Sequence, residues 1–505
     1  MDAINYDIHD KFERYIILGK EYAMARINNR KVLSGLLWRF AERCGAQGAS
    51  FIVSIILARL LNPDIYGTIS LITVFTTILQ VFIDSGMANA LIQKKDADEI
   101  DFSTVLFFNI SVCCILYLGM YIAAPLIAEF YNNKELTVVI RVLSLILIIS
   151  GIKNVQQAYV SRNMLFKRFF YATLGGTLSA AIVSIIMAYN GFGVWALVIQ
   201  YIFNAFVDTV ILWITVKWRP QRTFSFQRLK DLFSYGWKLL VSGLLDITYN
   251  NARQLIIGKI YSSADLAYYN RGRQFPNFIV SNVNSSIDSV LFPVMSSVQD
   301  DREAVKQMTR KSIKTSVYVM APLMMGLAFM ADTVVRLVLT DKWLECVPFL
   351  RIFCITFMFY PIHTANLNAI NAMGRSDLFL RLEIIKKAVG VALLLSTMRF
   401  GVMAMAYSML VSSITSQIIN SWPNRKLLHY GYLEQLKDIM PSILLAVFMG
   451  ICVSFVELLD MPLILTALVQ IILGAEIYII GSGVLNLDSF NYLRRTLKPI
   501  LNKKI

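Results

Sequence analysis

Charged residues are scarce in this chain of 505 residues, and their scarcity excludes a water-soluble protein of this size. Lys, Arg, Asp and Glu together make up 16% of the sequence, whereas 56% is hydrophobic and the mean hydropathy is +0.58. Soluble proteins carry about 25% charged residues. The chain therefore has too little polar surface to cover itself in water, and it is predicted to lie in a membrane.

Cysteine and histidine are rare as well. None of the six cysteines forms a C-x-x-C pair, and none of the three histidines lies at ligand spacing, which excludes a disulfide framework and a zinc site, so we expect no cofactor. The sequence has no G-x-x-x-x-G-K-[ST] motif, which excludes direct ATP hydrolysis of the P-loop type. Asp96-Ala97-Asp98 matches the D-x-D of sugar-nucleotide transferases, but a helix follows at once and leaves no room for a nucleotide-binding domain.

The apolar stretches are long enough to cross a bilayer repeatedly. At roughly 35 residues for a spanning helix and its loop, the chain holds about fourteen helices, and the predicted fold class is an all-α polytopic membrane protein. The predicted helices are 33–60, 66–92, 102–125, 136–161, 168–189, 194–216, 232–260, 266–296, 312–339, 345–373, 377–398, 402–422, 438–456 and 462–484.

The basic residues that give the net charge of +15 are concentrated in the loops on one side of these helices. The termini and loops on the side of the N-terminus hold 31 of the 48 Lys and Arg residues, and the opposite loops hold five. Because basic loops stay in the cytoplasm, both termini are predicted to be cytoplasmic, in the cytoplasmic (inner) membrane. No soluble basic face is left for nucleic acid, so nucleic-acid binding is not expected.

Two parts of the chain look like copies of each other. Residues 192–197, which open the sixth predicted helix, match residues 400–405 of the twelfth at four of six positions. Residues 135–141 share their Glu and Arg spacing with residues 345–351. Each copy has six helices, so the repeat is parallel, with two six-helix lobes and two further helices. The predicted domains are a cytoplasmic extension 1–31, an N-lobe 32–216, a basic linker 217–231, a C-lobe 232–428, and helices 13–14 with a basic tail 429–505.

Polar side chains recur at three- and four-residue steps in several predicted helices, which places them on one helix face. Lipid does not tolerate such stripes, so they are expected to face protein or a water-filled cleft between the lobes. Arg binds phosphate through paired hydrogen bonds and amides bind sugar hydroxyls, so the stripes favour an anionic, hydroxyl-rich cargo. The predicted cargo-binding residues are Arg39, Arg43, Gln80, Asn250, Arg253, Arg273, Asn277 and Asn284.

Ionisable groups on the same helices are candidates to carry a coupling proton or cation. These residues are Asp84, Asp246, Asp288 and His363. Polar residues in spans often serve only as hydrogen-bond partners between helices, and a lone buried histidine is more often structural, so both interpretations stay open. Pro276 is predicted to interrupt its helix close to Arg273, where a bend would free backbone groups for binding or gating.

Several segments resemble one known family. They are Ser34–Trp38, Ile56–Gly67, Asp84–Gln93, Leu291–Ser296 and Asp341–Trp343. They are similar to the polysaccharide flippases, in the branch like the colanic-acid exporter, of the multidrug, oligosaccharidyl-lipid and polysaccharide exporter superfamily. The likeness runs over nearly the whole chain from about residue 32. It implies a two-lobed transporter, not an enzyme, that moves an undecaprenyl-diphosphate-linked oligosaccharide across the membrane by alternating access.

Two other functions remain as alternatives. A cation-coupled multidrug exporter of the same superfamily would need an acidic cavity, against which the predicted arginines argue. A membrane-embedded sugar ligase or polymerase would need a large external loop, and the longest one here is about a dozen residues. The flippase hypothesis places the chain in lipopolysaccharide, capsule or exopolysaccharide biosynthesis. Its expected partners are membrane lipids and the polymerase and glycosyltransferases of that pathway.

Overall fold

The computed structural model describes residues 38, 41, 45–84, 87–94 and 96–502. Most of these residues are helical and none of them forms a strand, which confirms the all-α fold class. The chain folds as two compact units. The first unit comprises the residues up to Leu61 together with Ile72–Asn251, and the second comprises Asn62–Leu71 together with Ala252–Ile505. The helices Pro63–Asp84 and Phe226–Ile260 each contribute residues to both units.

The helices follow one another with short connections. As far as α9 they are α1 Gly45–Leu60, α2 Pro63–Asp84, α3 Met87–Gln93, α4 Glu99–Phe130, α5 Glu135–Leu143, α6 Leu145–Arg162, α7 Phe166–Tyr189, α8 Val194–Thr215 and α9 Phe226–Ile260. The remainder are α10 Ser263–Ser296, α11 Arg302–Phe329, α12 Ala331–Val338, α13 Val347–Met358, α14 Tyr360–Ala372, α15 Ser376–Thr397, α16 Val402–Leu427, α17 Tyr432–Ser454, α18 Leu463–Val484 and α19 Asp488–Asn502. Two 3₁₀ turns, Asp341–Cys346 and Phe455–Leu459, precede α13 and follow α17.

Side-chain caps fix the start of two spanning helices. The Asp98 carboxylate accepts hydrogen bonds from the N–H groups of Ile100 and Asp101, and the Asp101 carboxylate accepts one from the Asp98 N–H, which forms a capping box at α4. Asp301 caps α11 in the same way through its side chain. Each cap satisfies backbone donors that have no partner inside the helix, and the cap at Asp301 starts α11 ten residues before the apolar span predicted from 312.

Helices α8 and α16 begin at matched glycines of the predicted repeat. Gly193 has a φ of 54° and Gly401 has a φ of 99°, and each is the residue before its helix. A residue with a Cβ rarely adopts this left-handed region. Both glycines therefore have a positive φ at equivalent places in the sequence.

Ten segments of the described chain are long and apolar enough to cross a membrane, so the chain is a multi-pass membrane protein. They are 63–93, 99–130, 135–162, 166–189, 194–215, 302–329, 341–372, 402–427, 432–459 and 463–484. Some predicted helices are broken in two: the one over 136–161 at Ser144, the one over 312–339 at Met330 and the one over 345–373 at Phe359. These breaks leave the apolar runs continuous, and for that reason hydropathy alone does not reveal them.

The segment after α8, predicted as a linker, packs against the first unit. Trp218 is buried against Phe102 and Tyr159, and its carbonyl accepts a hydrogen bond from the Gln156 side chain at 3.3 Å. The backbone N–H of Gln221 donates to Ser103 Oγ at 2.9 Å. Helix α9 begins inside the predicted linker range, and its first turns belong to the same apolar cluster. The basic segment is thus a packed part of the first unit.

Candidate functional site

Four predicted site residues lie wholly or partly outside the described structure. Arg39 and Arg43 are outside the described residues, and for Asp84 in α2 and Asp288 in α10 only the helical backbone is described. Their predicted roles stay predictions.

Three predicted site residues belong to the first unit. Gln80 is half-buried in α2, whereas Asp246 and Asn250 are exposed on α9. Asp246 and Asn250 lie one helical turn apart, and the Asn250 amide donates a hydrogen bond to the Asp246 carboxylate at 3.1 Å. The polar stripe predicted on α9 therefore exists as a hydrogen-bonded pair.

In the second unit, Arg253 is a half-buried cation with an incomplete set of partners. Its Nε and Nη2 atoms are shielded from solvent and have no hydrogen-bond partner among the described residues. The Oδ1 atom of Asn284 in α10 is also buried and has no hydrogen-bond partner among the described residues. Shielding guanidinium nitrogens without an acceptor is strongly unfavourable, so this arrangement is suited to an anionic acceptor that the chain itself does not provide.

Arg273 and Asn277 lie further along α10. Arg273 is half-buried and Asn277 is exposed, one helical turn apart on the same face. Helix α10 is continuous from Ser263 to Ser296, so the interruption predicted at Pro276 is wrong. A helix tolerates an internal proline when the surrounding helices hold it in place, and Pro276 is buried.

Sequence reasoning overlooked Arg271, which lies two residues before Arg273 and points to the other side of α10. Its guanidinium stacks on the Tyr66 ring at 4.2 Å and lies 5.2 Å from the centre of the Trp343 ring. It also donates a hydrogen bond to Gln274 Oε1 at 2.6 Å. Because cation–π stacking and this bond engage a buried guanidinium, Arg271 belongs to the packed interior.

His363 lies in a buried network of neutral groups. The Asn420 amide bonds His363 Nδ1 at 3.1 Å, and Ser413 Oγ lies 3.5 Å from Nε2. The Tyr360 ring packs edge-on against the imidazole, with 5.6 Å between the ring centres. Neutral partners at both nitrogens favour a structural role, and the coupling role of His363 stays a prediction.

A second buried network was not foreseen from the sequence. Asn366 and Gln435 exchange two amide hydrogen bonds, of 2.9 and 3.0 Å, and the Asn424 amide donates to Asn366 Oδ1 at 2.7 Å. All three residues are fully buried, at 0% exposure. These amides tie α14, α16 and α17 together within the second unit. The sequence feature that could have indicated this network is the presence of Asn and Gln in three apolar helices. The sequence alone does not show which of these residues contact each other.

The first unit holds a charged pair at membrane depth that was likewise missed. Lys153 Nζ of α6 lies 3.0 Å from Asp208 Oδ2 of α8, and both side chains are largely buried. Asp208 Oδ1 is buried without a hydrogen-bond partner among the described residues. Each residue stands out as a charge in an apolar run, but their separation of 55 positions in the sequence conceals the pairing. No group of three or more His, Cys, Asp or Glu side chains suited to a metal ion occurs in the described ranges.

Two relatives share sequence with most of the chain. The teichuronic acid biosynthesis protein TuaB of Bacillus subtilis (strain 168) is 24% identical over 386 residues, which is 76% of this chain and 80% of TuaB. The succinoglycan biosynthesis transport protein ExoT of Rhizobium meliloti (strain 1021) is 22% identical over 330 residues, or 65% of this chain and 67% of ExoT.

A solved structure shares the fold. The lipid II flippase MurJ, in an inward closed conformation, superimposes with a TM-score of 0.72 at 14% identity, over 89% of this chain and 98% of MurJ. At this identity the likeness concerns the fold alone. The family pattern of polysaccharide biosynthesis proteins matches residues 56–348. This match covers more than half of the sequence and confirms the resemblance found in its segments: the chain belongs to the polysaccharide biosynthesis protein family.

Proposed function

We propose that the chain is a flippase that moves a lipid-linked oligosaccharide, carried on undecaprenyl diphosphate, across the cytoplasmic membrane. The observation that carries this proposal is Arg253, whose shielded Nε and Nη2 atoms have no acceptor among the described residues. A diphosphate supplies the acceptors that a guanidinium binds best. ExoT is named for transport and MurJ for flipping, which favours a secondary transporter over an enzyme.

The proposed architecture has fourteen spans arranged as two six-helix lobes and two C-terminal helices, with both termini in the cytoplasm. The proposed domain boundaries are those predicted from the sequence. The structural match of Gly193 with Gly401 supports the repeat. So do Arg141 and Arg351, since each donates from Nε to a backbone carbonyl of an earlier helix, α4 at 3.2 Å and α11 at 3.3 Å.

An apolar groove in the second unit supports a polyprenyl cargo. It lies between α11, α17 and α18, has a volume of about 440 Å³, and is lined by side chains such as Leu323, Met449 and Ile471. The groove holds no charged residue among those that line it. Apolar walls are compatible with an isoprenoid chain, which gains free energy by leaving water but makes no hydrogen bonds.

The remaining predicted residues have supporting roles in this proposal. Arg39, Arg43, Arg273, Asn277, Asn284, Asn250 and Gln80 would contact phosphate and sugar hydroxyls, and Asp84, Asp246, Asp288 and His363 are candidates for the coupling ion. The polymerase and glycosyltransferases of the pathway are the proposed partners. Relatives of the chain bear the names of teichuronic acid and succinoglycan biosynthesis, which supports a cell-surface polysaccharide as the end product.

The test is Arg253→Ala in proteoliposomes that hold an undecaprenyl-diphosphate-linked oligosaccharide. The transfer rate between leaflets, read with a membrane-impermeant sugar-modifying reagent, should fall at least about tenfold, since a charge-assisted hydrogen bond contributes about 1.5–3 kcal/mol. Arg253→Lys should keep part of the activity, because Lys retains the charge and loses the paired geometry. Lys230→Ala, on the exposed start of the same helix, is the control. Unchanged transfer by Arg253→Ala at equal protein level would contradict the proposal.

A further inference from the structure

A cationic cavity lies where α11 meets α19 in the second unit. Its volume is about 360 Å³, within the range of about 300–1,000 Å³ typical of small-molecule sites. Arg310, Lys311 and Lys314 of α11 line one wall, and Asp488 and Tyr492 of α19 line the other. Three cations and one carboxylate give this lining a net positive charge.

The three cations stand on adjoining positions of one helix face, where like charges three or four residues apart destabilise the helix. Arg310 is compensated by Asp438, at 2.7 Å, and by Glu434, at 3.5 Å. Lys314 is compensated by Asp488 at 2.6 Å, and the cation holds the pKa of that carboxyl below its usual range. Asp488 therefore stays ionised at neutral pH.

Lys311 is the cation in this cavity that these carboxylates do not compensate. Its ammonium lies 3.7 Å from the centre of the Tyr492 ring, and no carboxylate lies within ion-pair distance of it in the described part of the chain. The side chain is exposed at the mouth of the cavity. A tyrosine face holds a cation in place without neutralising it, so Lys311 is positioned to meet an external anion.

The position of the cavity along α11 indicates where that anion comes from. Between Lys314 and Asp332 the sequence carries no charge for 17 residues, which rise about 26 Å as a helix and nearly match the hydrocarbon core of a bilayer. The cavity thus lies at one edge of this apolar stretch, at the level of lipid headgroups. The cavity also lies on the side of the membrane that the excess of Lys and Arg predicts to be cytoplasmic. The leaflet on that side carries anionic lipids.

Helix α19 has the character of a surface helix at the same level. It begins four residues after α18, a candidate span, and it exposes Arg494 and Arg495 next to Tyr492. A basic amphipathic helix directly after a span is typical of an element that lies in the membrane interface. The helix therefore forms a wall that is open to headgroups of the adjoining leaflet.

We propose that the cavity between α11 and α19 binds the phosphate of an anionic phospholipid headgroup, with Lys311 as its main contact and Lys314 as its second. A free phosphate offers the same chemistry, but the position at the edge of the apolar stretch favours the lipid. This site is separate from the proposed cargo site and does not depend on the flippase function. It makes the C-terminal helix a lipid-dependent part of the structure.

The test measures the melting temperature of the purified full-length protein in detergent during titration with phosphatidylglycerol, phosphatidylcholine or inorganic phosphate. A ligand that binds only the folded state raises the melting temperature, and the rise grows with the logarithm of its concentration relative to Kd. Phosphatidylglycerol should stabilise the wild type, and phosphatidylcholine and phosphate should not. Lys311→Ala should weaken the apparent affinity about tenfold, Lys311→Glu should abolish the response, and Lys311→Arg should restore it.

The matched control is Lys306→Ala on the same helix, outside the cavity lining and about 140° around the helix axis from Lys311. It should respond to phosphatidylglycerol like the wild type. Lys311 is exposed, so its variants should fold, and their melting temperature without lipid verifies this. An unchanged response in Lys311→Glu overturns the site. Equal stabilisation by inorganic phosphate or by phosphatidylcholine overturns the assignment to an anionic lipid.

Discussion

Each unit buries a polar cluster, and the two clusters differ in kind. The first unit holds a charged pair, Lys153 with Asp208, between α6 and α8. The second holds a neutral network of amides around Asn366, together with His363 and its neutral partners. A buried charge is far more costly to leave without a partner than a buried amide.

This difference implies different mechanical properties. A charged pair tolerates little separation, because each ion loses its compensation as soon as the other moves, so α6 and α8 are expected to move together. An amide can exchange one neutral partner for another or for water at small cost, so α14, α16 and α17 can shift relative to one another more easily. The comparison predicts that the contact between α6 and α8 is stiffer than the contacts among α14, α16 and α17.

Breaking the charged pair should give the largest effect on stability. Asp208→Leu leaves the Lys153 ammonium without its carboxylate and should lower the free energy of unfolding by about 3–5 kcal/mol. The double variant Lys153→Met with Asp208→Leu should recover most of this loss, since it removes both charges. Unfolding curves of the four proteins in mixed micelles measure the coupling. A double variant that loses the sum of both single effects would show that the two residues do not act as a pair.

Disrupting the amide network should cost less. Asn366→Leu leaves the side chains of Gln435 and Asn424 without their shared partner, and the expected loss is about 1–3 kcal/mol. Thr364→Val, on the same helix and outside the network, should change stability by no more than about 0.5 kcal/mol. The same unfolding measurement ranks the two clusters. If Asn366→Leu destabilises the protein more than Asp208→Leu does, the contrast between the clusters is wrong.

The sequence predicted the helices well because apolar length is set by the bilayer. The run over Glu99–Phe130 has few alternatives to a spanning helix, and the cap at Asp98 marks its start. The breaks at Ser144 and Phe359 could not be predicted, since they interrupt the backbone without adding polarity to the sequence. Helix boundaries inside apolar runs depend on how the helix packs against its neighbours. A single sequence does not show which helices are neighbours.

The site was harder to predict than the fold. Arg271 and Arg273 are two residues apart on one helix and look equivalent in the sequence, yet the first is buried and stacks on the Tyr66 ring, and the second is only half-buried. A difference of about 200° around the helix separates them, and only the tertiary packing decides which side is interior. Lys153 and Asp208 show the converse case, because two charges far apart in the sequence become one buried pair.

The smallest predicted effect concerns a carboxylate outside the spans, where solvent weakens every ion pair. Arg228, whose guanidinium lies 2.5 Å from the Asp98 carboxylate, holds the pKa of Asp98 below its usual range. The ionised form therefore stabilises the folded first unit at pH values above about 3.9, the pKa of an unperturbed aspartate. That contribution is lost as the pH falls through the lowered pKa of the folded state.

Asp98→Asn should accordingly lower the melting temperature at pH 7 by a few degrees, and the difference from the wild type should shrink as the pH falls below about 4. Asp101 meets the same guanidinium at 3.4 Å and Lys94 at 2.7 Å, so Arg228 keeps one carboxylate partner in the variant. Asp96→Asn, at an exposed loop position, is the control and should follow the wild type at every pH. A constant offset between Asp98→Asn and the wild type from pH 7 to below pH 4 would mean that the asparagine weakens the α4 cap itself, since the loss of an ion pair must depend on pH.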